Sequence, residues 1–183
     1  MDNFFDDYFS RINKCFTNTN TELLLKVIDK IKLANQNKKK IILAGNGGSA
    51  ALASHVSVDL TKNAKIKSIN FNESDLITCF ANDFGYEKIF AKSLEFYADK
   101  GDILILISCS GNSQNLVEAA NYAKKNGIFL ITLTGFSTNN SLKKIGDLNL
   151  WADSKAYNIV EIVHQTWLLS IVDYIIGKIE YSA

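Results

Sequence analysis

Apolar residues recur along this chain with two different spacings. From about Asn3 to Thr17 and from about Thr21 to Asn37 they return every three or four positions, the period of a helix that buries one face. Short continuous apolar runs then follow at Lys40 to Leu43, Lys67 to Phe71, Asp102 to Ile107, Ile128 to Thr134 and Leu148 to Trp151. Helical spacing separates them: Ser49 to Leu60, Ser74 to Ala81 with Tyr86 to Tyr97, Asn115 to Asn126, and the short Asn140 to Ile145, with a long helix from Ala156 closing the chain. A strand that is apolar at every position is covered on both faces, so the pattern predicts an α/β fold with a parallel sheet between helices. Ligands in such sheets bind beyond the carboxyl ends of the strands.

In the last helix, between Ile159 and Ile176, apolar residues point in nearly every direction. A helix apolar all round is buried all round, which predicts an oligomer in which a second subunit covers what the sheet does not. Its polar exceptions, Asn158, Glu161, His164 and Gln165, fall within about 120° of one another at about 100° per residue. They share a face that suits either a pocket or a set of interface hydrogen bonds.

The chain has 183 residues and no Pro-rich or Ser-rich linker, which bounds it to one domain over residues 1–183, with helices in 1–38 and a core in 39–178. Twenty basic and nineteen acidic residues leave a formal charge of +1, so direct nucleic-acid binding is not expected. Met1 to Asp7 is acidic and aromatic, so no secretory signal is expected. No uninterrupted apolar run reaches the roughly 20 residues of a membrane span, so no membrane partner is expected either. Cys15, Cys79 and Cys109 are odd in number and lack metal spacing, which fits a reducing cytoplasm.

Two strand-to-helix turns carry the candidate chemistry. Ser108-Cys109-Ser110-Gly111-Asn112-Ser113 follows one strand and opens a helix. Free first-turn amides, the helix dipole and three hydroxyls there suit an anion, each charge-assisted bond contributing about 1.5 to 3 kcal/mol. Asn46-Gly47-Gly48-Ser49 follows the strand at Ile41 in the same way and is neither a Walker A loop nor a dinucleotide fingerprint. Neither turn carries a lysine, which predicts binding by backbone dipoles and hydroxyls. Plain capped turns are the alternative reading of each. Cys109 sits where a helix N-terminus would activate a thiol, yet no histidine adjoins it in sequence, so a spacer role is favoured.

Taken together, Gly45 to Ala50, His55, Ala81 to Tyr86, Ile107 to Ser113 and Leu133-Thr134-Gly135 resemble the SIS (sugar isomerase) domain in its phosphoheptose isomerase branch, over about residues 20 to 178. The resemblance implies a three-layer α-β-α sandwich around a flavodoxin-like parallel sheet, preceded by a helical N-terminal extension, and a homotetramer with sites made by adjoining subunits. It implies interconversion of sedoheptulose 7-phosphate and a heptose 7-phosphate through an enediolate, toward activated heptose for lipopolysaccharide or capsule. By the same resemblance Ser108, Cys109, Ser110, Asn112 and Ser113 bind the phosphate side, with Cys109 where the family often has Thr. Asn46, Gly47, Gly48 and Ser49 meet the sugar chain, and Asp83 and Thr134 complete the substrate contacts.

The family's zinc set is a histidine and a glutamate four residues on, with a glutamine and a second histidine from the C-terminal helix. Here His55 is followed by Asp59, one methylene shorter. Aligned through Glu161, the glutamine becomes Val160 and the distal histidine Leu168; slipped by one residue, Glu161 replaces the glutamine and His164 matches another family histidine, but the distal position is Leu169. The expected metal set is therefore His55, Asp59 and Glu161, with zinc as the possible cofactor. The expected catalytic set is Asp59 or Glu161 as base and His164 or His55 as proton donor. Two further functions remain open: an isomerase of a different phosphosugar, and a non-catalytic module that binds a phosphosugar or a protein partner.

Overall fold

The computed structural model describes residues 3–181 and bears out the predicted alternation. Helices α1 (Phe4–Thr17) and α2 (Thr21–Gln36) precede β1 (Ile41–Gly45) and α3 (Gly48–Lys62). Then come β2 (Ser68–Asn70), α4 (Ser74–Phe84), α5 (Ile89–Tyr97), β3 (Ile103–Ser108) and α6 (Gln114–Lys125). The chain continues through β4 (Phe129–Thr134), α7 (Ser141–Ile145), β5 (Leu148–Trp151) and α8 (Tyr157–Ile176). The strands form one parallel sheet in the order β2-β1-β3-β4-β5.

Side-chain alternation along the strands sorts the apolar residues into two cores. Ile41, Leu43, Ile103, Ile105, Ile131 and Leu133 face a layer made of α1, α2, α3 and α8. Ile42, Ala44, Leu104, Leu106 and Leu130 face the opposite layer, to which α5, α6 and α7 contribute. Each such Ile or Leu side chain, sealed completely, contributes about 1.5 to 3 kcal/mol. The expected three-layer sandwich is thus present, because strands apolar at successive positions feed both layers.

From β1 the chain crosses to β2 on one side, and from β3 to β4 on the other. The connecting helices α3 and α6 consequently lie on opposite faces, and the turns before them splay apart at the carboxyl ends of adjacent strands. This crevice is the site that the fold offers to a ligand. At the other end of the same strands, the buried Asp102 carboxylate accepts from the Lys40 and Asp99 amides and pairs with the Lys40 ammonium at 2.5 Å.

Three differences from the expected elements have local causes. The helix begun at Ser74 runs to Phe84 and stops at Gly85, whose φ of 88° leaves the helical region. The segment expected as one helix from Tyr86 opens as a 3-10 turn, Tyr86–Lys88, before α5. The run from Lys67 forms only a three-residue, half-buried edge strand, since among the described residues no strand pairs its outer side. Moreover, α8 is long and apolar enough to pass for a membrane span by length and composition, which the run-length argument missed. Its polar residues interrupt the run without breaking the helix, and it packs in the core against α1, α2 and α3.

Candidate active site

The turn after β3 is held open by its own hydrogen bonds. The Gly111 amide donates to Ser108 Oγ at 3.1 Å and the Asn112 amide to Ser110 Oγ at 3.2 Å. Gly111 has φ 66°, and a β-carbon there would collide with the Asn140 side chain, so both conformation and space require glycine. Ser113, at the N-cap of α6, makes no side-chain cap bond; its hydroxyl faces Ser108 Oγ at 3.4 Å instead. Hydroxyls and first-turn amides of this turn therefore remain available to an anion.

The β1 turn is fastened to it by two carboxamides. Asn46 and Asn115 exchange reciprocal hydrogen bonds of 3.0 and 2.9 Å, and the Tyr86 hydroxyl donates to Asn46 Oδ1 at 3.1 Å. The sequence assigns no role to Asn115, which is almost wholly buried at the start of α6, or to Tyr86, the last residue of the Ala81 to Tyr86 motif. Between the turns lies a cavity of about 110 Å³ whose polar lining comes from Asn46, Ser49, Ser108, Ser110, Ser113 and Glu161. Cys109 and Tyr157 also line it. A larger open cavity of about 480 Å³ adjoins, bounded by Tyr8, Gly48, His55, Asn158, Glu161 and Gln165 among others.

Glu161 is common to both cavities. Gly48 opens α3 without a side-chain cap, and a β-carbon at Gly48 would lie 2.6 Å from both Glu161 carboxylate oxygens. Glycine at this point lets the carboxylate rest on the first turn of α3, where the positive end of the helix dipole favours negative charge. Cys109 Sγ lies 4.0 Å from Glu161 Oε1 on the other side. Burial, and then the Glu161 charge, push the Cys109 thiol up to about 11. It stays protonated at neutral pH, as the spacer reading expects and a nucleophile would not.

Several expected residues are elsewhere. His164 is fully buried, with Nε2 3.1 Å from the Thr134 carbonyl oxygen and Nδ1 without a partner. Burial pulls its pKa down to about 4, so it is neutral and sealed from either cavity; it does not serve as a proton donor to a ligand. Thr134 is equally sealed, its hydroxyl held by Asn149. Asn112 turns its carboxamide oxygen to the Ser141 amide and hydroxyl, bracing the loop on α7 rather than lining the cavity. Asp83 is exposed at the end of α4, bonded to Asn82, and borders neither cavity of this chain. Gly47, at φ 55°, shapes the turn without lining it.

Asp59 lies one turn below His55 on α3, 3.3 Å from its Nε2, and accepts from Asn63 Nδ2 at 3.1 Å. It does not line the cavity, so it is not positioned as the base. Among the described residues no group of three or more His, Cys, Asp or Glu side chains could hold a metal ion. His55 and Asp59 make a pair, but Glu161 rests on Gly48 rather than joining them. The donor set of one chain therefore does not fit the expected zinc centre.

Comparison with known proteins places the fold and the sequence in one family. Residues 4–135 match the SIS domain family. A protein of Thermoplasma acidophilum named probable phosphoheptose isomerase is 37% identical over 156 residues, 81% of this chain and 85% of its own length. The phosphoheptose isomerase of Cytophaga hutchinsonii is 41% identical over 117 residues, 61% of each chain. A solved phosphoheptose isomerase from Francisella tularensis superposes with a TM-score of 0.87 over 95% of this chain and 97% of its own, at 24% identity, which bears on the fold alone. Through the family match and the Thermoplasma relative, the chain belongs to the SIS domain family.

Proposed function

We propose that this protein is a phosphosugar isomerase that interconverts sedoheptulose 7-phosphate and an aldoheptose 7-phosphate. The observation that carries the reading is Glu161, a carboxylate shared by a hydroxyl-lined anion cavity and a larger cavity able to take a sugar chain. The names of the relatives support the substrate.

The phosphate occupies the smaller cavity on Ser108, Ser110 and Ser113, with Ser49 and Asn46 toward the sugar. Glu161 takes the proton from C1 of the ketose and returns it at C2, the general-base step that an enediolate requires. His55, which lines the larger cavity, is the group placed to serve the carbonyl oxygen as it gains charge. No step is assigned to Asp59, His164 or a metal.

The same reading extends to a homotetramer in a reducing cytoplasm, supplying heptose for surface polysaccharide. Exposed Phe4, Phe5 and Phe9 on α1 support assembly, and three free cysteines support the compartment. The test is incubation of the purified protein with sedoheptulose 7-phosphate in deuterated water. Deuterium at C2 of an aldoheptose 7-phosphate is expected. Turnover of a different ketose phosphate alone would move the substrate, and thermal protection by phosphosugars without any exchange would leave a binding module.

A further inference from the structure

Tyr157 and Phe136 belong to neither catalytic nor phosphate-binding set above, yet Tyr157 lines the smaller cavity and Phe136 packs against its ring from outside. Tyr157 opens α8, lines the cavity, and lies one turn before Glu161, on the same stripe of the helix. Its backbone carbonyl is 4.0 Å from Cys109 Sγ, which fixes the start of α8 against the phosphate turn. The residue is 61% exposed, and its hydroxyl has no hydrogen-bond partner among the described residues. The Phe136 ring meets it edge to face, centroids 4.8 Å apart at 80°.

Phe136 holds that place at a backbone cost. Its φ is 52°, in the left-handed region that a bulky aromatic residue rarely adopts. The turn is pinned on both sides: the Gly135 amide donates to the Cys109 carbonyl, and the Phe136 amide to the Ser154 carbonyl, each at 2.9 Å. Asn or Gly would satisfy the backbone more easily; the Phe136 ring instead packs on Tyr157 and against the core below it. The cavity it serves has no Lys or Arg in its lining, so every neutral donor there counts toward holding an anion.

We propose that Tyr157 contacts the substrate's phosphoryl group, closing the cavity with its ring and donating its hydroxyl to a phosphate oxygen, and that Phe136 is the positioning residue for that ring. This rests on the phosphosugar reading for turnover, but not for phosphate binding itself. Calorimetry with inorganic phosphate is therefore run beside kinetics with sedoheptulose 7-phosphate. Tyr157→Phe, which keeps the ring, should weaken phosphate binding and raise KM by about tenfold with kcat little changed and melting temperature unaltered. Phe136→Asn, which suits a positive φ but gives up the ring's packing on the core, should stay folded while also weakening phosphate binding. Phe136→Tyr should restore it. Phosphate affinity unchanged in both Tyr157→Phe and Phe136→Asn would overturn the inference. Tyr157-dependent phosphate binding without isomerisation would sink the activity and leave the inference standing.

Discussion

Single residues decide which hydroxyls and carboxylates face the crevice. Gly111 is the clearest case, since its φ of 66° and the adjacent Asn140 side chain both exclude a β-carbon. Gly111→Ala should destabilise the protein by about 1 to 3 kcal/mol and lower phosphate affinity, measured by denaturant titration and calorimetry. His164 predicts a pH dependence. Its folded pKa of about 4 lies below the unfolded 6.5, so between those values the unfolded chain binds the extra proton. Stability should fall as pH drops through that window, by up to about 1.4 kcal/mol per unit, and level off below it. In His164→Phe that slope should be missing from urea midpoints measured across the same window. The residue also shows where a helical wheel misleads. Taking Glu161 as origin, Asn158 and Gln165 lie about 60° and 40° to one side, but His164 lies about 60° to the other, next to buried Leu168. A polar arc of that width spans the boundary between cavity and sheet, and only packing shows where the boundary falls.

At the scale of elements, the active crevice is the meeting of α3, α6 and α8 at the ends of β1 and β3. Strand positions were legible because continuous apolar runs have few other uses, and the two turns because Gly and Ser gather there after a strand. Neither the closeness of Glu161 to Gly48 nor the wall formed by Tyr157 was legible, because both depend on how α8 lies across α3 and the phosphate turn. That crossing is testable. Gly48→Ala places a methyl 2.6 Å from the Glu161 carboxylate while suiting the helix, so melting temperature should hold or rise. kcat should nevertheless fall by about a hundredfold, the usual consequence of displacing a catalytic group by about an ångström. An unchanged kcat would mean that Glu161 has slack enough to move without loss.

For the whole molecule, one chain supplies a hydroxyl-lined cavity, a larger cavity and the Glu161 carboxylate between them, and leaves apolar surface uncovered. Phe4, Phe5 and Phe9 are 63%, 69% and 61% exposed on α1, which also sends Tyr8 into the larger cavity. If subunits cover that face, Phe5→Asp with Phe9→Asp should lower the sedimenting mass and reduce activity together. A drop in mass with full activity would separate assembly from catalysis. The family and its sheet were readable from ordered motifs along the chain, whereas the relation of the expected metal ligands was not: within one chain His55 and Asp59 pair with each other and Glu161 stands apart.

The most direct test of Glu161 as the base is Glu161→Gln, which keeps the shape of the side chain and removes its charge. The folded variant and the wild type are compared in deuterated water with sedoheptulose 7-phosphate, following deuterium at C2 of the product. The account predicts that Glu161→Gln still binds the sugar phosphate but loses C2 labelling by at least about a hundredfold. Labelling at the wild-type rate in Glu161→Gln would contradict it and return the proton transfer to another group.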